Sequence, residues 1–301
     1  MKKKKKVEIF TVLLHIGFVL ACACFVLPLL MVIAASFSSE DSLIKEGFGI
    51  LPKDFTTKAY ASAFANGAKM IRAYGVTIFQ AAVGTVSSCV VAGLVAYPLS
   101  RSNFRFKKPV TWFVFATMLI GPSMIPCYIV FAKYYHIADT VWIYLLPGLA
   151  GGAWNTMVFR TFFKSIPESL FESARLDGAK ELTVFFKIVL PLSTPAFASI
   201  GFMTLVGKWN DYTTSMIYIR NENLYTLQFL LQKLMAEASF LKNLSQNLLM
   251  MGSVTIDNTS ALPSESLKFA MCVIAAGPML AIFPFFQKYF AKGLTIGAVK
   301  G

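Results

Sequence analysis

Two groups of polar residues interrupt an otherwise apolar chain. The first runs from Ser165 to Pro191, SIPESLFESARLDGAKELTVFFKIVLP, and is the one long polar segment between apolar runs. The second is Trp209, Asn210, Asp211 and Tyr212, with Asn155 in the preceding apolar run. Aromatic faces pack on C–H groups while amides and carboxylates hydrogen-bond hydroxyls, which is the chemistry that holds a sugar. Trp and Tyr also gather where a helix leaves a membrane. From Leu192 to Asp211 the chain covers roughly 28 Å at 1.5 Å per residue, enough to bring the group to such an edge. Both readings of these residues stay open on sequence alone.

Bond-making chemistry finds no support. The chain has no HExxH, no GxSxG and no phosphate loop of the Walker A type. The nearest approach, Gly201 to Trp209 (GFMTLVGKW), has the wrong glycine spacing and a Trp where Ser or Thr must hold magnesium. Cys22, Cys24, Cys89, Cys127 and Cys272 form no CxxC pair, and His15 and His136 have no ligand spacing. No catalytic residue and no metal site is expected, and the cysteines should serve as small buried hydrophobes.

The polar segment needs elements that present it. Ser165 with Glu168 three residues later is a capping-box pattern, and Pro167 suits a first helical turn. Ile166, Leu170 and Ala174 then recur at i, i+4 spacing with Phe171 widening the face. Asp177 and Gly178 break this helix, and a second one over Lys180 to Val189 should end at Pro191.

The rest of the chain is membrane-like: 56% hydrophobic, 14% charged, 28 Phe in 301 residues and a mean hydropathy of +0.62. Crossing about 30 Å of hydrocarbon takes about 20 apolar residues. Six stretches qualify, at 9–36, 74–98, 109–132, 140–163, 192–218 and 267–287. The first is too long for a cleaved signal segment, so a retained span is expected despite the MKKKKK start. With both termini inside, 17 Lys and Arg fall in inner segments and 11 in outer ones. The positive-inside bias thus explains the net charge of +13, and no nucleic-acid role is implied. The expected fold is all-α and integral to the membrane, with six spans and cytoplasmic termini.

Ion-driven carriers place ionisable groups at membrane depth. The second, third, fourth and sixth stretches hold none in their interiors, Arg160 and Lys268 lying near the ends of the fourth and sixth, and the fifth holds none before Lys208 and Asp211 at its outer end. Outer segments at 37–73 and 219–266 frame the spans. The first should cap their outer ends. The second begins with an amphipathic pattern of Leu227, Leu230, Leu231 and Leu234, suited either to an external partner or to a plain surface connection.

Glu172, Ser173 and Ala174, then Asp177, Gly178 and Ala179, then Ile188, Leu190 and Pro191 resemble the EAA motif of ABC importer permeases, with Ser173 replacing an alanine. Tyr97 to Arg101 (YPLSR), Phe159 to Phe163 (FRTFF), Trp209 to Tyr212 (WNDY), Pro263 to Lys268 (PSESLK) and Gln287 to Gly301 resemble the carbohydrate-uptake, MalG-like, binding-protein-dependent branch. The first loop and the ending look most like its LplC and YtcP type, associated with oligosaccharides or polysaccharide fragments. The resemblance implies one permease domain over 1–301, with a core at 74–287 and a coupling loop at 164–191, in a bacterial cytoplasmic membrane.

It further implies a second homologous permease, an ABC ATPase dimer and an extracellular solute-binding lipoprotein that delivers a sugar. The chain itself would be no enzyme and hold no cofactor, since ATP and magnesium would sit on the ATPase. In the family the first helix of the EAA loop inserts into the ATPase. Glu172 would meet a basic residue there, Gly178 would allow the turn, and Ala174 and Ala179 would keep the surface small. The tail from Lys292 would lie near the ATPase. The same coupling motif serves ABC importers of non-sugar solutes. An ion-coupled secondary carrier or a membrane scaffold fits the loop and the uncharged spans less well.

Overall fold

The computed structural model describes residues 2–65, 67–121, 123–149, 152–250 and 265–298. Among these every regular element is a helix. In chain order they are α1 (Lys2–Ser36), α2 (Glu40–Glu46), α3 (Lys58–Ala63), α4 (Gly67–Ser100), α5 (Lys107–Leu119) and α6 (Met124–Tyr128), the last running into a π segment at Ile129–Tyr134. A 3₁₀ turn at Val141–Tyr144 leads to α7 (Leu146–Leu149), α8 (Ala153–Lys164), α9 (Glu168–Leu176) and α10 (Glu181–Val184). A second π segment, Phe185–Val189, connects α10 to α11 (Leu190–Leu192). Then come α12 (Thr194–Trp209), α13 (Thr213–Tyr218), α14 (Leu227–Met250) and α15 (Glu265–Ala298).

Among the described residues three helical stretches are long and apolar enough to cross a membrane: Ile9–Ser36, Gly67–Ser100 and Glu265–Tyr289. Two bent pairs, Lys107–Leu119 with Met124–Tyr134 and Glu181–Leu192 with Thr194–Trp209, raise the number to five if each is one span. The expected continuous span at 140–163 is instead divided into the 3₁₀ turn, α7 and α8. Its sequence explains the division, because Pro147 lacks an amide proton and Gly148 and Gly152 loosen the backbone, with Gly152 at φ +66°. The expected stretch 192–218 is likewise interrupted, ending as α12 at Trp209 and resuming as α13.

The chain divides into two units, residues 1–67 with 231–278 and residues 68–230 with 279–301. In the first unit the segment after α1 is a small folded cap. Phe37 stacks on Phe55 and Tyr60 at 5.5 and 4.9 Å, and the Ser42 hydroxyl donates to Asp54. Glu40 accepts hydrogen bonds from the Glu265 and Ser266 amides at 2.9 and 3.2 Å, so a carboxylate caps the positive end of α15. The tract 251–264, within the expected outer segment, and the side chains of the tail from Lys292 lie outside the described residues.

In the second unit α4 is the central strut. Ala81, Gly84, Ser88, Ala92 and Ala96 give it a buried stripe of small residues that lets neighbours approach closely. Its opposite face carries exposed Ile71, Ile78 and Val86, as a lipid-facing surface should. The core packs Ala92, Ala96 and Tyr97 of α4 against Phe159 and Phe163 of α8, Phe171 of α9, Phe185 and Ile200. Phe159 meets Phe197 with ring centroids 4.3 Å apart, and any side chain at Gly93 would collide with Phe197 at 2.8 Å. Of the cysteines only Cys89 is buried; Cys22, Cys24 and Cys272 are exposed, against the expectation of buried packing.

Candidate functional site

The polar segment is a helix–turn–helix, but its beginning differs from the capping-box reading. Ser165 belongs to the end of α8, where its hydroxyl donates back to the Phe162 carbonyl at 2.7 Å, and it makes no bond to α9. The helix α9 starts at Glu168, after Pro167 in an extended conformation. Its end is a Schellman motif: the Ala179 amide donates to Ala174 at 2.9 Å and the Gly178 amide to Arg175 at 3.0 Å. Gly178 stands at φ +73° with nothing within 4 Å of where a Cβ would be, so the demand for glycine there is purely conformational. Pro191 does not stop the second helix. The π segment Phe185–Val189 absorbs the proline one turn later, and the chain bends by 81° at Ser193 instead.

The two faces of α9 have separate tasks. Phe171 and Ala174 are buried in the core of the unit, so Ala174 serves internal packing and presents nothing outward. Ala179 is half-buried against the same core. Glu172, Ser173 and Asp177 are exposed, and Glu172 makes no ion pair or side-chain hydrogen bond among the described residues. Leu176 beside them is 89% exposed and Leu182 is also uncovered. Glu172 and Leu176, four residues apart on α9, therefore share one uncovered face.

What holds this face in place is a residue that sequence reasoning treated only as part of a motif. Arg101, just past the end of α4, is 5% exposed. Its guanidinium donates to Glu168 at 3.2 Å, to the Phe163 carbonyl and to Ser100 at 3.0 Å, and it lies 3.8 Å over the ring of Phe171. Burial lowers its pKa from the ordinary value, and Glu168 opposes that shift. Tyr97 donates to Glu181, and Arg175 reaches Glu168 at 3.9 Å and Glu181 at 3.5 Å. One fork thereby ties α4, α8 and α9 together, with a looser and more exposed ring of charge around it. Beside the fork is a cavity of about 380 Å³, lined by Leu94, Pro98, Phe104, Leu182 and the edges of Arg101 and Glu181.

The residues suggested for sugar contact are not one group. Trp209 is 2% exposed, with its ring 6.4 Å from that of Tyr74, so its faces are taken up by packing. Asn210 turns back to the Val206 carbonyl at 3.0 Å and accepts from Gln228 at 3.3 Å. Asp211 accepts from the Thr214 amide and hydroxyl at 3.0 and 2.6 Å, capping α13, and from Gln80 at 3.1 Å. Tyr212 is exposed. Asn155, in the first turn of α8, donates to Thr204 at 3.4 Å and remains half-buried.

Residues 89–296 match the model of the family described as the binding-protein-dependent transport system inner membrane component. The chain is similar to the polygalacturonan/rhamnogalacturonan transport system permease protein YtcP of Bacillus subtilis, 36% identical over 98% of this chain and 100% of the relative. It is 37% identical to protein LplC of the same organism, over 92% of this chain and 90% of the relative. Among solved structures it resembles a bacterial ABC transporter involved in the import of the acidic polysaccharide alginate, with a TM-score of 0.76 and 27% identity over 94% of this chain and 97% of that one.

Proposed function

The chain belongs to the family of binding-protein-dependent transport system inner membrane components, and on that premise we propose that it is a permease subunit of an ATP-driven importer of oligosaccharides. It is a multi-pass protein of the cell membrane and the family is one of transport, not of catalysis. The relatives that transport polygalacturonan, rhamnogalacturonan and alginate support the sugar reading, and the last of these is an acidic polysaccharide.

In this reading the whole chain is one permease domain of six spans with cytoplasmic termini, the divided stretch 140–163 serving as the fourth. It pairs with a second permease and two ATPase subunits, and a solute-binding lipoprotein delivers the sugar from outside. ATP and magnesium are held by the ATPase. The single observation that carries the assignment is the outward face of α9, with free Glu172 and bare Leu176, on a base fixed by Arg101. Glu172 meets a basic residue of the ATPase. A force applied to α9 passes through Phe171 and the Arg101 fork into α4 and α8. Through the Gly178 turn, α10 and the 81° bend, it reaches α12. Closure of the ATPase dimer on ATP therefore moves helices that reach the far side of the membrane.

Glu172→Ala tests this. A partly buried charge-assisted contact contributes about 1.5–3 kcal/mol, so ATPase association should weaken by about 10- to 150-fold. Uptake should be lost while the protein stays in the membrane. Full uptake and full ATPase association in the variant would overturn the coupling role of α9.

A further inference from the structure

Lys208, in the last turn of α12, is the one charged residue of that helix and has no local reason to be half-buried. Its side chain lies in a slot made by two glycines from separate elements. A Cβ at Gly84 of α4 would sit 2.9 Å from both Cε and Nζ of Lys208, and one at Gly148 of α7 would sit 2.9 Å from Nζ. A side chain at either place would push the lysine tip aside, so the ammonium fills the space that both glycines leave open. An ammonium carries three donors. Among the described residues it makes one long hydrogen bond, 3.5 Å to the Tyr144 carbonyl, and no ion pair.

The nearest carboxylate in sequence does not satisfy it. Asp211 attracts Lys208 through space, but its two oxygens are engaged by Thr214 and Gln80. Holding a cation inside a membrane protein is costly unless an anion or a dense set of acceptors compensates it, and such groups mark solute paths. The surroundings are polar in the manner a saccharide needs. Thr204 lies one turn before Lys208 on α12 and is bonded to Asn155. Gln80, one turn before Gly84 on α4, has a buried carbonyl oxygen with no hydrogen-bond partner.

We propose that Lys208 receives the carboxylate of an acidic oligosaccharide as it passes through the permease, making this lysine a determinant of selectivity for uronate-containing substrates. The inference rests on the importer reading above and adds to it the residue and the charge class. Half-buried Asn155 serves a hydroxyl, and the ammonium serves the acid. A neutral sugar would leave the lysine as weakly bonded as before and gain nothing from it.

The test uses the complete importer in cells, with labelled trigalacturonate, its fully methyl-esterified form and maltotriose as probes. Trigalacturonate uptake should fall by about 10- to 100-fold in Lys208→Met and in Lys208→Gln, and Lys208→Arg should retain most of it. Any uptake of the ester or of maltotriose should be unchanged in all three. If Lys208→Met does not reach the membrane, the Gln variant, which keeps hydrogen bonding, decides. Equal losses for acidic and neutral probes would reveal a merely structural lysine and overturn the proposal. Wild-type import of maltotriose or the ester without trigalacturonate would also overturn it and leave the importer reading standing. Wild-type import of none of the three would count against both.

Discussion

Replacing Arg101 by Met keeps the length and apolar bulk of the side chain and removes the fork that positions α9. The Phe163 carbonyl would lose its charged donor and keep only the 3.4 Å bond from the Ile166 amide, at about 1.5–3 kcal/mol for a hydrogen bond to a charged group. The guanidinium over Phe171 contributes about 1–2 kcal/mol. Glu168 is 43% exposed on its side chain, so it can rehydrate, and its pairing adds no more than about 1 kcal/mol. Thioether contact with Phe171 returns up to about 1 kcal/mol. The net is about 3 kcal/mol, or roughly a hundredfold more frequent local opening. Amide hydrogen exchange of the full importer in lipid nanodiscs reads this directly. Residues 168–176 should lose about two decades of protection, with α12 little changed. Arg101→Lys, which keeps charge but not the planar fork, should fall between. Unaltered protection of α9 in Arg101→Met would refute the idea that this residue fixes the docking face.

Two further substitutions separate backbone from side-chain effects. Gly178→Val should weaken the turn by about 1–2 kcal/mol through its positive φ alone, since no atom obstructs the new Cβ; uptake should drop while membrane accumulation is retained, as shown by transport assays beside quantitative immunoblots. Ser165→Ala should change thermal stability by less than about 0.5 kcal/mol, because the hydroxyl bonds back into α8 and caps nothing; a loss of about 1 kcal/mol would restore the capping-box reading.

The parts of this protein legible in its sequence are those that depend on near neighbours. The turn at Gly178 could be read because few residues tolerate its backbone angle; the apolar face of α9 was read only in part, since Phe171 and Ala174 are buried but Leu170, expected beside them, is 41% exposed and Ile166 precedes the helix. The first, second and last spans could be read because hydropathy accumulates over an unbroken helix. Hydropathy cannot distinguish a straight helix from the broken stretch at 140–163, where Pro147, Gly148 and Gly152 interrupt an equally apolar run. Ser165 misled because the end of α8 competes for the same hydroxyl. Long-range geometry was hidden altogether. Arg101 finds Glu168 and Phe163 at separations of 67 and 62 residues, and the slot for Lys208 needs glycines from two distant elements. Trp209 and Asp211 carried the right side chains for sugar contact, yet packing and helix capping have used them.

The most direct measurement places a photo-crosslinking amino acid at position 172, in the full chain and in its own membrane, and identifies the product by mass spectrometry after mild-detergent purification. The account predicts that an ABC ATPase is captured at Glu172, with a second permease co-purifying. Abundant, membrane-inserted protein that captures no ATPase from this position would contradict the assignment of α9 as the coupling helix.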